Sequence, residues 1–249
     1  CQSVGELFSC LPMNKVKLHT LWLLGMLFLM TACGDDDDYY YPSVKLEFVT
    51  VKAGADGLIQ SLLPDKGELL TVAKDRTGST ISPNSARRVI SNYEVNPEDA
   101  TAVIYSLQSV VAPEPKGADD PAFEGGLKYD PVDVTSIWLG RDYLNMILNV
   151  KININSGKQH VFGMIEESVE VEGDETVVTL SLFHDANGDE ENYNRRAYIS
   201  VPLTKYVDEE NPHQTIRIKF KYHTTDKNGV VVESSKYCDP GFEYVPGVN

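Results

Sequence analysis

In TIRIKFKYH, residues 215–223, apolar and basic side chains change places at every step. Ile216, Ile218, Phe220 and Tyr222 fall on one side of an extended chain, and Arg217, Lys219 and Lys221 on the other. A strand repeats every two residues and a helix every 3.6, so this spacing makes one buried and one wet face only as a strand. YLNMILNVKINI repeats the pattern: Leu144, Met146, Leu148, Val150, Ile152 and Ile154 alternate with Asn145, Asn149, Lys151 and Asn153. One face of each strand is expected in a core, the other in water. Further strands are expected at 44–51, 58–63, 69–74, 89–95, 102–111, 134–138, 160–165, 176–184, 197–203 and 230–234. Helical stripes are missing after the first 32 residues, and the fold class is all-β.

Turn chemistry divides these strands. Pro64-Asp65-Lys66-Gly67, Ala186-Asn187-Gly188 and Lys227-Asn228-Gly229 supply the backbone freedom of hairpins. APEPKGADDPAFEGG, residues 112–126, is rich in Pro, Gly and charge, as linkers are. The expected organisation is a small barrel over 43–112, a linker over 113–126 and a β-sandwich over 127–249. In VKLEFVTV the apolar positions switch parity between Phe48 and Val49. A bulge there would let one strand curl across both halves of a barrel.

The front of the chain has a different character. From Met13, the expected start, a basic head (Lys15, Lys17, His19) leads into an apolar run over 21–30 and then Thr31-Ala32-Cys33. The run falls short of the roughly 20 residues that cross a bilayer, so a cleaved signal is expected over 1–32, with residues 1–12 lying upstream of the true start. Met30-Thr31-Ala32-Cys33 resembles the lipobox of bacterial lipoproteins, which implies acylation at Cys33 and a permanent anchor. Cys238 then remains as the one other cysteine of the mature chain, without an internal disulfide. Asp35 to Asp38 cannot continue a core, because four like charges repel and hydrate. An acidic run flush against the acylated cysteine resembles the export signal of surface lipoproteins. It implies an outer-membrane, lipid-anchored protein facing the cell exterior; a plain spacer is the alternative. Residues 33–42 form the tether, and the ten residues from Gly34 to Ser43 reach roughly 33–36 Å when extended.

Formal charge is -15, and the acid is concentrated late: residues 118–249 carry twelve Lys and Arg against twenty-three Asp and Glu. Nucleic acid is disfavoured as a partner, since its backbone is held by clustered cations. Metal and nucleophile signatures are absent: His160, His184, His213 and His223 stand in no H-E-x-x-H setting, and no G-x-S-x-G or phosphate loop occurs. HDANGDEEN, residues 184–192, places Asp185, Asn187 and Asp189 at the alternate positions of a calcium loop, but Glu190 stands where that loop needs Gly and Arg196 where it needs Glu. A solvated turn is favoured; no cofactor or metal is expected, weak calcium binding being the alternative. Glu166-Glu167 is uninformative in a chain so acidic. Cys238 is read as a small buried side chain over a nucleophile, Trp138 as a core aromatic over a sugar platform, and the Arg217, Lys219, Lys221 stripe as a wet strand face.

The stretch over 41–72, YPSVKLEFVTVKAGADGLIQSLLPDKGELLTV, and SIWLGRDYLNMILNVKININSG, residues 136–157, resemble the NigD-like lipoprotein family. The resemblance implies an OB-like barrel followed by a β-sandwich, and a role related to bacteriocin immunity. It brings no catalytic residues with it. The expected function is a non-catalytic surface lipoprotein, not an enzyme, that binds an unknown protein or glycan and touches the membrane through its lipid. A glycan- or transporter-associated binding module is the alternative.

Overall fold

The structure is a computed structural model that describes residues 44–172, 175–189 and 193–247. The signal, Cys33 and the acidic tether lie outside the described residues. No helix among the described residues is long and apolar enough to cross a membrane.

Five strands close the barrel: β1 (Val44–Ala53), β2 (Ile59–Pro64), β3 (Leu70–Asp75), β4 (Ala86–Asn96) and β5 (Thr101–Ser109), in the order β1-β2-β3-β5-β4. Only β3 and β5 run parallel. Val49, Val51, Leu62, Tyr93, Ala102 and Ile104 fill the interior. The parity switch in β1 has a different cause from the expected bulge. Its register with β4 runs without a slip from Val44 opposite Glu94 to Lys52 opposite Ala86, and the irregularity lies against β2 at Lys52 and Ala53. Phe48 and Val49 are both buried because β1 buries both faces: Val49 points into the barrel and Phe48 out of it, against Ile90 and Val110.

The second domain stacks two sheets. One has five strands in the order β13-β12-β10-β9-β6 and the other three in the order β11-β8-β7. Their ranges are β6 (Pro115–Gly117), β7 (Asp133–Gly140), β8 (Tyr143–Ile152), β9 (Val161–Glu172), β10 (Glu175–Asp185), β11 (Tyr193–Pro202), β12 (Ile216–Thr225) and β13 (Val231–Tyr244). Leu144, Met146, Leu148 and Val150 from β8 meet Met164, Leu180, Ile218 and Phe220 from the opposite sheet. Alternation in β8 and β12 thus builds this core.

Two local expectations are corrected. Residues 113–126 are not a free linker: Pro115 to Gly117 pair in parallel with Met164 to Glu166, Asp120 caps a short 3₁₀ turn by accepting from the Ala122 amide at 2.8 Å, and Phe123 packs on Ile165 and Phe183. Polar composition marked a surface segment there, and two apolar anchors, Pro115 and Phe123, tie it down. Ala186-Asn187-Gly188 is also no hairpin, since the strands it joins, β10 and β11, belong to different sheets. Asn187 and Gly188 do adopt the positive φ of such a turn, 57° and 62°, but the turn carries the chain between layers. Lys227-Asn228-Gly229, between antiparallel β12 and β13, is the hairpin expected.

Candidate functional site

The outer face of the three-stranded sheet carries Trp138 and Gly140 from β7, Asn145 and Ile147 from β8, and Arg196, Tyr198 and Ser200 from β11. Register places Asn145 opposite both Trp138 and Ser200, and Ile147 opposite Tyr198. The expectation of a wet face is corrected here, because Asn145 and Ser200 are fully buried beneath the barrel. Trp138, Ile147 and Tyr198 pack around Phe48, Ile90 and Val110. The Phe48 ring meets the Trp138 ring edge-on at 5.4 Å between centroids and the Tyr198 ring at 6.2 Å.

Arg88, from β4, holds this junction. Its Nε donates to Ser200 Oγ at 2.9 Å, and its Nη2 donates to Asn145 Oδ1 at 3.1 Å and to Asp65 Oδ1. Ser200 Oγ donates to Asn145 Oδ1 at 2.6 Å, and Asn145 Nδ2 to Asp65 Oδ2 at 2.7 Å. The guanidinium lies over the Tyr143 ring, 4.1 Å from its centroid, and 5.8 Å from that of Phe48. A planar cation with several donors suits this role; an ammonium could not satisfy Ser200, Asn145 and Asp65 in one plane. Gly140 must lack a side chain, since a Cβ there would meet Asp65 Oδ2 at 2.2 Å and Asn145 Nδ2 at 2.5 Å. The backbone joins the domains as well: the Val111 amide donates to Tyr198 O and the Ser200 amide to Val111 O, each at 2.9 Å. Arg141 Nη2 donates to Gly67 O at 2.7 Å, and its Nε to Pro64 O at 3.2 Å.

Beside this network lies an open cavity of about 330 Å³, floored by Phe48, Ile90, Trp138, Ile147 and Tyr198. Leu46, 70% exposed, stands at its mouth with Lys66, Gln108 and Arg196. Concave, largely apolar and built at a domain junction, it has the character of a binding site. Sequence reasoning missed it. The signals were the apolar Ile147 among the asparagines of β8, and the two-faced Phe48-Val49 pair.

The residues singled out from sequence fall elsewhere. Asp185, Asn187 and Asp189 do not converge. Asp185 Oδ1 accepts from the Asn187 amide at 2.7 Å, Asn187 Nδ2 donates to Gln159 O at 3.0 Å, and the Lys158 ammonium occupies the Gly188 carbonyl. Asp189 turns inward, accepting from the Asn153 amide at 2.9 Å, with its Oδ2 3.4 Å from His160 Nε2. His160 Nδ1 is 2.9 Å from His184 Nε2, and His184 Nδ1 is 3.0 Å from Asp130 O. A carbonyl only accepts, so His184 donates there. Burial, the largest influence, lowers the His184 pKa; stacking on Phe162 at 4.6 Å keeps its ring in that apolar setting. Serine and backbone donors hold the Asp189 carboxyl below the ordinary carboxylate range. Among the described residues no three His, Cys, Asp or Glu gather as metal ligands.

Cys238 is half-buried, its Sγ 3.6 Å from Phe220 O, and burial raises its thiol pKa. Arg217 pairs with Glu175 at 2.8 Å and Lys221 with Glu167 at 2.7 Å, as a wet strand face would. Glu166 is held by Lys205 and the Tyr206 hydroxyl, each at 2.6 Å, so the adjacent acids serve separate ion pairs.

Both domains match family models, residues 48–110 the NigD-like N-terminal OB domain and residues 116–234 the NigD-like C-terminal beta sandwich domain. A NigD-like immunity protein from Bacteroides caccae, known from its crystal structure, is 70% identical, with a TM-score of 0.74 over 84% of this chain and all of the other. The chain belongs to the NigD-like family. Two more distant structures share the NigD-like fold, each at 17% identity. One, from Parabacteroides distasonis, has a TM-score of 0.61 over 80% of this chain and 96% of the other. The second, a protein of unknown function from Bacteroides vulgatus, has a TM-score of 0.58 over 83% and 96%. A search of curated proteins gives no match.

Proposed function

We propose that this NigD-like chain is a non-catalytic lipoprotein of the immunity type, displayed on the outer face of the outer membrane and binding another macromolecule through the domain junction. The observation that carries the reading is the open apolar cavity beside the hydrogen-bonded junction of the two domains. Family membership supports the immunity role, because a relative of 70% identity is described as an immunity protein. Acylation at Cys33 and the acidic run after it supply the anchor and the surface address.

The test is protection. Sensitive cells expressing the full chain, challenged with bacteriocins of related strains, are expected to survive better than cells carrying Cys33→Ala, whose product cannot be acylated. Equal killing of both across the panel would sink the immunity role. Protease treatment of intact cells checks display: loss of the C-terminal domain is expected, and protection until lysis would place the protein on the inner face.

A further inference from the structure

We infer that the junction cavity takes an extended acidic peptide of a protein partner, with one aromatic or branched aliphatic side chain seated on the Phe48 floor and a neighbouring carboxylate on Lys66 and Arg196. The inference rests on the binding role proposed above and assigns its ligand chemistry.

Charge at the cavity is the first argument. Five other basic residues already have acidic partners: Arg88 with Asp65, Lys116 with Asp120, Lys205 with Glu166, Arg217 with Glu175 and Lys221 with Glu167. Lys66 and Arg196 are exposed at the cavity and have no hydrogen-bond or ion-pair partner among the described residues. The cavity's two acids are engaged: Asp65 binds Arg88 and Asn145, and Glu47 Oε2 accepts from the Tyr93 hydroxyl at 2.9 Å. Among the described residues, a chain of formal charge -15 thus presents two unpaired cations here. Screening over about 8 Å at physiological salt leaves these nearest charges to decide what binds.

Backbone geometry is the second. β1 pairs with β4 from Val44 to Lys52, but its pairing with β2 begins only at Val49. Among the described residues, no strand covers the other edge of residues 44–48. An uncovered edge is a template for an incoming strand, whose alternate side chains point to one face. Leu46 and Phe48, two apart on that segment, both line the cavity. A strand added there brings a side chain to the aromatic floor. The volume, about 330 Å³, is at the small end of ligand pockets and suits one or two side chains. The floor is also already ordered by Arg88 and its partners, which reduces the cost of binding.

The test is titration calorimetry of the full chain in detergent with two short peptides, acetyl-Glu-Leu-Phe-Asp-amide and its lysine counterpart acetyl-Lys-Leu-Phe-Lys-amide. The acidic peptide is expected to bind at least tenfold more tightly, the double variant K66E/R196E to reverse the preference, and alternate N-methylation of the acidic peptide to abolish binding. Both substituted side chains are exposed, and an unchanged thermal transition confirms the fold of the variant. Preference for the lysine peptide, or indifference to K66E/R196E, would overturn the inference. Binding of decanoate with neither peptide would overturn it in favour of an anionic amphiphile. Discrimination between peptides without cellular protection would keep this site and sink the immunity role; protection without discrimination would do the reverse.

Discussion

Asn145 of the sandwich and Asp65 of the barrel face each other across the domain junction, amide Nδ2 2.7 Å from carboxylate Oδ2, and both also bind the guanidinium of Arg88. Each satisfies hydrogen-bonding capacity that the others would leave buried. Such a group is stable when complete and costly when one member is lost.

Arg88→Ala should therefore destabilise the protein by about 3–5 kcal/mol, the usual cost of leaving one partner of a buried charged pair alone. Arg88→Lys should recover only part of this, since an ammonium cannot reach Ser200, Asn145 and Asp65 together. Urea denaturation at neutral pH measures both. A loss under 1 kcal/mol for the alanine variant would mean that water replaces the guanidinium without penalty.

Gly140→Ala tests the same place by addition. The new methyl would overlap Asp65 and Asn145, and overpacking of this kind costs about 1–3 kcal/mol. The double variant Gly140→Ala, Asp65→Ala should cost less than the two single losses combined, because removing the carboxylate opens space for the methyl. Strict additivity would contradict the contact.

His184 predicts a pH dependence. Burial lowers its folded pKa from an ordinary 6.5, so the unfolded chain binds the proton first on acidification. Its contribution is complete above about pH 6.5 and is lost as pH falls below that value through the folded pKa. The groups facing it are His160, Asp130 and Asp185. Thermal transitions followed from pH 7.5 to 5 should fall, and should fall less in His184→Gln. Asp189 acts in a separate window: its lowered pKa stabilises above the ordinary 3.8 and is lost as pH drops further.

The Cys238 thiol, raised by burial, should react with iodoacetamide at pH 7.5 more slowly in the folded protein than in guanidinium chloride. Mass spectrometry of the labelled peptide reads both rates. Equal rates would show that the thiol is already free to ionise.

Strands were the most legible feature, because period-two patterning follows from burial of one face. The strands around TIRIKFKYH and YLNMILNVKINI stand where the pattern puts them, and so do the five strands of the barrel. The junction was illegible for the same reason. A polar strand face reads as wet, and nothing local in Asn145 or Ser200 says that another domain supplies their hydrogen bonds. Phe48 beside Val49 looked like a bulge because sequence records that two adjacent residues are apolar, not that two bodies enclose them. The segment 113–126 was likewise judged by its polar majority, although Pro115 and Phe123 anchor it. The cavity arises from residues of β1, β4, β5, β7, β8, β11 and the turn after β2, an assembly that only the folded topology brings together.

Leu46, at the mouth of the cavity, follows Cys33 by thirteen residues. An extended chain of that length spans at most about 43–47 Å. Under the proposed acylation the cavity stays within that radius of the bilayer. A partner seated in the same membrane, or passing through it, is then met at high effective concentration, and modest affinity for each encounter is enough for capture.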